Sequence, residues 1–433
     1  GNVNVTSTIN TNNSDHNGNL LIQANNSVKS GAIKINGPTS AGLVQIDVNK
    51  GGGNTAFSIG SSATNGVASI DVSGTTGGGT DALYGFRGVF ITNGTANSTG
   101  GIALTAASKL KLLNTASRSG ILWLNAQDGP MTLPGGVAIN TNGPSGFFAG
   151  QIFLLSKNLI FSGADPTLQA TQGQTVAGSS HGVVIATQSI TYQGPAGLKI
   201  FADGNGLSPV FPTYAYIIPQ KSITSTNSND FRSLFWSSPS LAGVQTADLP
   251  LAITGSGASP FTMRANGNDA AIAIRGNDTK IDTGAIALTS NGKINHTITL
   301  RDTGPFGDLK GLTLGTINTP TIVIDASAGT GFPGAGNPAG GDVAISSDIL
   351  TMNGPSYTLK AAGPSSGNGD GGTVRLASTR PMVFSPSSSV TVNADAATSA
   401  AGQGNAVSGD PAIPTDRKAC LLYTSPSPRD RTR

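Results

Sequence analysis

Gly340-Gly341-Asp342-Val343-Ala344-Ile345-Ser346-Ser347-Asp348-Ile349-Leu350-Thr351-Met352-Asn353-Gly354-Pro355 is the stretch on which the reading of the chain turns. A glycine pair opens it, and Val343 and Ile345 then alternate with Ala344, the period of a half-buried strand. Ser346, Ser347 and Asp348 can turn the chain by bonding their own backbone. Apolar side chains resume at Ile349, and Asn353-Gly354-Pro355 makes a second corner. Nothing here is long enough for a helix. The unit is strand, corner, strand, corner.

Loose copies run along the chain. An aliphatic-Ala-aliphatic core recurs as Ile102-Ala103-Leu104, Val137-Ala138-Ile139, Ile272-Ala273-Ile274, Ile286-Ala287-Leu288 and Val343-Ala344-Ile345. Gly-Pro corners return at 37–38, 129–130, 143–144, 194–195, 304–305, 354–355 and 363–364. The spacing is irregular, which favours a solenoid with variable corners over a propeller of equal blades. The sequence therefore predicts an all-β protein, a right-handed parallel β-helix (β-solenoid) with irregular corner loops. Coils of roughly 20 to 25 residues are expected, with aliphatic ladders inside and Asn, Ser, Thr and Asp outside.

Composition agrees. The chain has 433 residues with 60 Gly, and only 5% are aromatic and 11% charged. All 22 acidic residues are Asp, so Glu, a strong helix former, is absent. Residues suited to corners and strand faces abound. A disordered Gly-rich matrix segment is the competing class, and the 37% hydrophobic share argues against it. The formal charge of +3 falls to +1 without residues 420–433, and the body shows no Lys/Arg cluster along the sequence. No nucleic-acid partner is expected. No apolar run approaches the length of a membrane-spanning helix.

Residues 1–205 read as a first solenoid block and 251–396 as its continuation. Between them, 206–250 concentrates Phe211, Tyr214, Tyr216, Phe231, Phe235 and Trp236 with Pro209, Pro212, Pro219 and Pro239. Prolines interrupt strand pairing, so an excursion packed by its own aromatics is predicted there. Solenoids often bind through such insertions, which makes Tyr214, Tyr216, Phe235 and Trp236 the candidate ligand-binding residues. The alternative is that these aromatics cover a solenoid face. Residues 397–419 read as a linker or truncated coil.

Glycine pairs feeding an aliphatic-x-aliphatic core, at Gly100–Leu104, Gly135–Ile139, Gly340–Ile345 and Gly371–Leu376, resemble repeats of bacterial filamentous-haemagglutinin-like and autotransporter-passenger proteins. The resemblance is one of style and spans most of residues 1–396. It implies a parallel β-helix outside the cell or on its outer surface, acting as an adhesin or stalk. The partners it implies are a host or matrix glycan or a surface protein. No secretion region or membrane barrel of those families is visible, which leaves the export route open.

The tail has a different character. Cys420-Leu421-Leu422-Tyr423-Thr424-Ser425-Pro426-Ser427-Pro428-Arg429-Asp430 resembles a translated sequencing adapter. On that reading 420–433 is artefact without structure, the natural part has no cysteine, and the chain is a cut metagenomic fragment.

An enzyme is the rival reading, because β-helices also host polysaccharide lyases and hydrolases. Without Glu its acid/base pair must be two Asp residues, with Asp278, Asp282, Asp302 and Asp308 the candidates. Corner capping explains the same residues. His16, His181 and His296 stand apart from one another. Thr76–Leu83 and Gly367–Asp370 match the calcium nonapeptide only in part and only singly. The expectation is no catalysis, no cofactor and no metal ligand set.

Overall fold

The computed structural model describes residues 1–10, 20–35, 43–72, 88–95, 97–112, 120–142, 150–171, 181–204, 213–219, 249–302, 310–329, 337–365, 369–380, 382–395 and 419–423. The protein is all-β. The single helical piece among the described residues is a 3-10 turn at Ala107–Lys109. Strands from successive turns of the chain pair in parallel and in register, a solenoid-like winding. The chain divides into two compact units, whose described residues run from Gly1 to Gly194 and from Pro195 onward.

In the first unit, one sheet stacks Leu20–Gln23, Leu43–Val48, Gly88–Asn93, Ile121–Asn125, Gln151–Leu155 and His181–Ala186. Alternation sends Val44, Val89, Leu122, Ile152 and Val183 inward at one register position, and Ile46, Ile91, Leu124, Leu154 and Ile185 at another. All ten are fully buried. Each contributes roughly 1.5–3 kcal/mol by leaving water. A second sheet adds the ladder Phe57, Ile102, Met131, Leu159 and Ile190. A third pairs Val137–Asn140 with Thr167–Gln169.

The second unit repeats the scheme. Its first sheet stacks Thr213–Ile218, the start of Ala271–Asp282, Thr297–Asp302, Asp342–Ser347 and Thr373–Ser378. The strand Ala271–Asp282 runs on into the second sheet, where Ile253, Ile281, Leu314 and Met352 align. The third sheet aligns Leu198, Phe261, Ile286, Ile322 and Tyr357. Residues 342–360 thus give one strand to each sheet, Asp342–Ser347, Ile349–Met352 and Ser356–Lys360. The glycine pair that opens this stretch has a steric reason. A Cβ on Gly372 would meet the backbone of Gly340 and Gly341 one turn earlier, and one on Gly341 would meet the His296 backbone and ring.

Four expectations change. Turns are longer than 20–25 residues where corners are wide: Leu20 faces Val44, but Val44 faces Val89 and Ile298 faces Val343. Corner loops lengthen a turn without disturbing its strands, because closure entropy grows slowly with loop length. Second, Thr213–Ile218 lies inside the expected 206–250 excursion but forms a stacked strand paired with Tyr214↔Ala271 through Ile217↔Ile274. Pro209, Pro212, Pro219 and Pro239 all lie outside that strand and so do not interrupt it. Residues 205–212 and 220–248 of the excursion lie outside the described residues, as does the linker at 397–418.

Third, corner asparagines are buried rather than outward. Asn49 Nδ2 donates to Asn93 Oδ1 of the next turn at 2.5 Å and to the Thr55 carbonyl at 2.7 Å. Asn93 Nδ2 donates to the Gly101 carbonyl at 2.7 Å. The Thr55 carbonyl at the corner is satisfied this way, and the Gly101 carbonyl, which also accepts from the Phe57 N–H, gains a second donor.

Fourth, Ala419–Tyr423 falls largely in the tail expected to be unstructured, yet it pairs antiparallel with Thr373–Ser378. Thr373–Ser378 has Asp342–Ser347 on its other side, so this edge would otherwise present free N–H and C=O groups. The apolar Leu421-Leu422 segment satisfies them.

Candidate functional site

The site is built from strand alternation on the first sheet of the second unit. Ala215 and Ile217, Ile272 and Ile274, and Ile298 and Leu300 face inward and are 0–1% exposed. Their alternates point away from the core: Tyr214 and Tyr216, Ala273 and Arg275, Thr299 and Arg301. Tyr214 and Tyr216 stack on each other, with ring centroids 5.2 Å apart and planes at 27°. Both are closed to solvent, at 1% and 8% exposure. Burial pushes the Tyr216 phenol up to about 12, against the opposing pull of Arg275. Burial, with Tyr216 adding to it, pushes Tyr214 higher still. These phenols are neutral donors, and their rings pack.

Of the four residues expected to bind ligand, the structure brings Tyr214 and Tyr216 together and buries both. Phe235 and Trp236 lie outside the described residues.

Beside the tyrosines stand two arginines that sequence reading passed over. Arg275 and Arg301 are register partners on adjacent turns, both outward. Arg301 is exposed and Arg275 half-buried. The Arg275 Nε makes no hydrogen bond. Burial lowers the Arg275 pKa, the Arg301 charge lowers it further, and Tyr216 opposes them. Register places Ser346 next in line after Arg301.

The first unit has its own outward row, Phe90, Trp123, Phe153 and Val184, at one register position on four turns. Trp123 and Phe153 rings lie 5.4 Å apart. All four are 2–7% exposed, so this face is packed.

Asp302 pairs in register with Gly276, two residues before Asp278. Asp278 is exposed with φ of +53°, at the bend where its strand passes from one sheet to the next. Asp282 lies 3.2 Å from Lys280 Nζ. Asp302 accepts from Ser347 Oγ at 3.5 Å. Asp308 lies outside the described residues. Elsewhere Asp203 is clasped by Arg264 at 2.5 Å, while Asp348 bonds Thr379 and Arg380.

His296 is fully buried, with Nε2 at 2.8 Å from the Ala326 carbonyl, to which it donates. Burial lowers its pKa, and backbone hydrogen bonds only partly restore it. His181 opens the strand His181–Ala186, and His16 lies outside the described residues. Thr76–Leu83 and residues 367–368 also lie outside them. Among the described residues no three His, Cys or Asp side chains gather to hold a metal ion. No described helix is long and apolar enough to cross a membrane.

No family model matches the chain, and neither a curated protein nor a solved structure matches it.

Proposed function

We propose that the chain is a right-handed parallel β-helix that works on a bacterial cell surface, or outside the cell, as an adhesin or structural stalk without catalysis. The observation that carries this reading is the parallel, in-register pairing of strands from successive turns over buried aliphatic ladders. Such stacking spans distance with simple repeats and needs capping only at its ends. The aspartates support the same reading. Asp278 sits at a bend with a left-handed backbone, and Asp203, Asp282 and Asp348 are held by cations. A glycosidase or lyase needs two carboxyl groups within several ångströms across the scissile bond.

The partner is a glycan or surface protein, met by Phe235 and Trp236, while Tyr214 and Tyr216 serve packing. The test is retention of the purified chain on immobilised glycans and matrix proteins, together with an assay for new reducing ends or unsaturated sugars. Retention without product, weakened by Phe235→Ala and Trp236→Ala, is expected. Release of sugar product overturns the reading in favour of a carbohydrate-active enzyme.

A further inference from the structure

Two cations on adjacent turns of one sheet repel, and here they do so without a described counter-charge. Arg275 and Arg301 occupy the same register position, and parallel strands lie roughly 4.8 Å apart. Their register neighbours are apolar or hydroxylic: Ala273 and Thr299 on the same strands, Ser346 on the next turn. Asp302 follows Arg301 in the chain, but alternation turns it to the other side, where it meets Ser347. None of the ion pairs that Asp71, Asp203, Asp282 and Asp348 make reaches either arginine. The Arg275 Nε is buried and makes no hydrogen bond, although guanidinium N–H groups inside proteins are normally satisfied. Tyr216, buried one turn earlier on the same face, is near enough to Arg275 to couple with it electrostatically.

We propose that Arg275 and Arg301, with the Ser346 hydroxyl, form a binding site for a tetrahedral oxyanion, sulfate or phosphate. Two guanidinium forks present planar N–H donors at fixed spacing, and such forks match oxyanions better than ammonium groups do. A tetrahedral anion has enough oxygens to engage both forks and the hydroxyl at once, whereas a carboxylate has only two. Binding removes the repulsion between the arginines and supplies the acceptor that Nε lacks. The site deepens the adhesin reading by naming the chemistry of a ligand, an ester sulfate or phosphate on a surface polymer. It rests on that reading only for the ligand's source.

The test uses inorganic ions and therefore stands apart from any glycan assay. Thermal unfolding and calorimetric titration are run on the whole chain with sodium sulfate, sodium phosphate and sodium glucuronate. Sodium chloride at matched ionic strength is the control. Sulfate, phosphate or both are expected to raise the wild-type midpoint above the chloride control, and whichever binds tighter names the source. Arg301→Gln, at an exposed position, is expected to weaken that binding about tenfold or more. Arg275→Gln is expected to do the same. A second readout separates binding from packing. Without oxyanion at low salt, Arg301→Gln melts above wild type, because a like charge is gone, and with sulfate the order reverses. Equal responses of wild type and Arg301→Gln to sulfate overturn the site. Glucuronate binding more tightly than either tetrahedral ion overturns its assignment.

Discussion

At the scale of residues, the core is held by polar groups as well as by ladders. Tyr357 is fully buried, its hydroxyl donating to the Leu314 carbonyl and accepting from the Gly354 N–H, each at 2.7 Å. Tyr357→Phe leaves both backbone groups buried and unpaired, so chemical denaturation is expected to show a loss of about 1–3 kcal/mol. His296 gives a pH signature. Its folded pKa lies below the ordinary 6.5, so the unfolded state takes up the proton first as pH falls. Stability from this group is complete above about 6.5 and declines as acid is added down to the lowered folded value. His296→Gln keeps a donor toward Ala326 and cannot protonate. Its melting midpoint is expected to fall less between pH 7 and 5 than that of wild type; parallel curves would exclude the histidine as the cause. The residues that sequence could find were those with a local signature. Gly340-Gly341 and Val343-Ala344-Ile345 announced themselves, whereas Arg275 and Arg301 are neighbours only through a register that no local pattern shows.

Strands and corners were legible to different degrees. Alternation gave away Leu43–Val48, Ile286–Thr289 and Asp342–Ser347, because one face of each meets the core. Thr213–Ile218 and Gln151–Leu155 are buried on both faces, so their patterns do not alternate, and the first was read as part of an excursion. Thr167–Gln169 and Ser189–Gln193 are short and carry few aliphatics, and only stacking on neighbouring turns makes them strands. The final strand, Ala419–Tyr423, makes a separable prediction. Ending the chain at Lys418 is expected to leave the far-ultraviolet β signal intact but to uncover the edge of Thr373–Ser378. Light scattering should then show concentration-dependent self-association through that edge. A monomeric truncation at all concentrations would mean that the strand protects nothing.

For the molecule as a whole, the repeat fixes which changes are tolerated. Inward ladders demand that every turn return in phase, while corners carry the variation in length, as the distances from Leu20 to Val44 and from Val44 to Val89 illustrate. Deleting Ala344 moves Ile345 and its successors to the opposite face and is expected to abolish the cooperative transition of the second unit. Two glycines inserted beside Ile317, which is 78% exposed at a corner, should cost little. Comparable midpoints for the two variants would argue against an in-register stack. An all-β, solenoid-like winding was readable because composition, alternation and corners all point the same way. The packing of Tyr214 and Tyr216 was not, because their burial depends on contacts far along the chain.

The glycines that open the turns have a consequence for how such a chain can grow. Backbone passes backbone at Gly341 and Gly372 too closely for any Cβ, so each turn brings its own gap for the one that follows. Lengthening is therefore quantised: a duplicated stretch fits only as a complete circuit that carries its own glycines and hands the chain back in step.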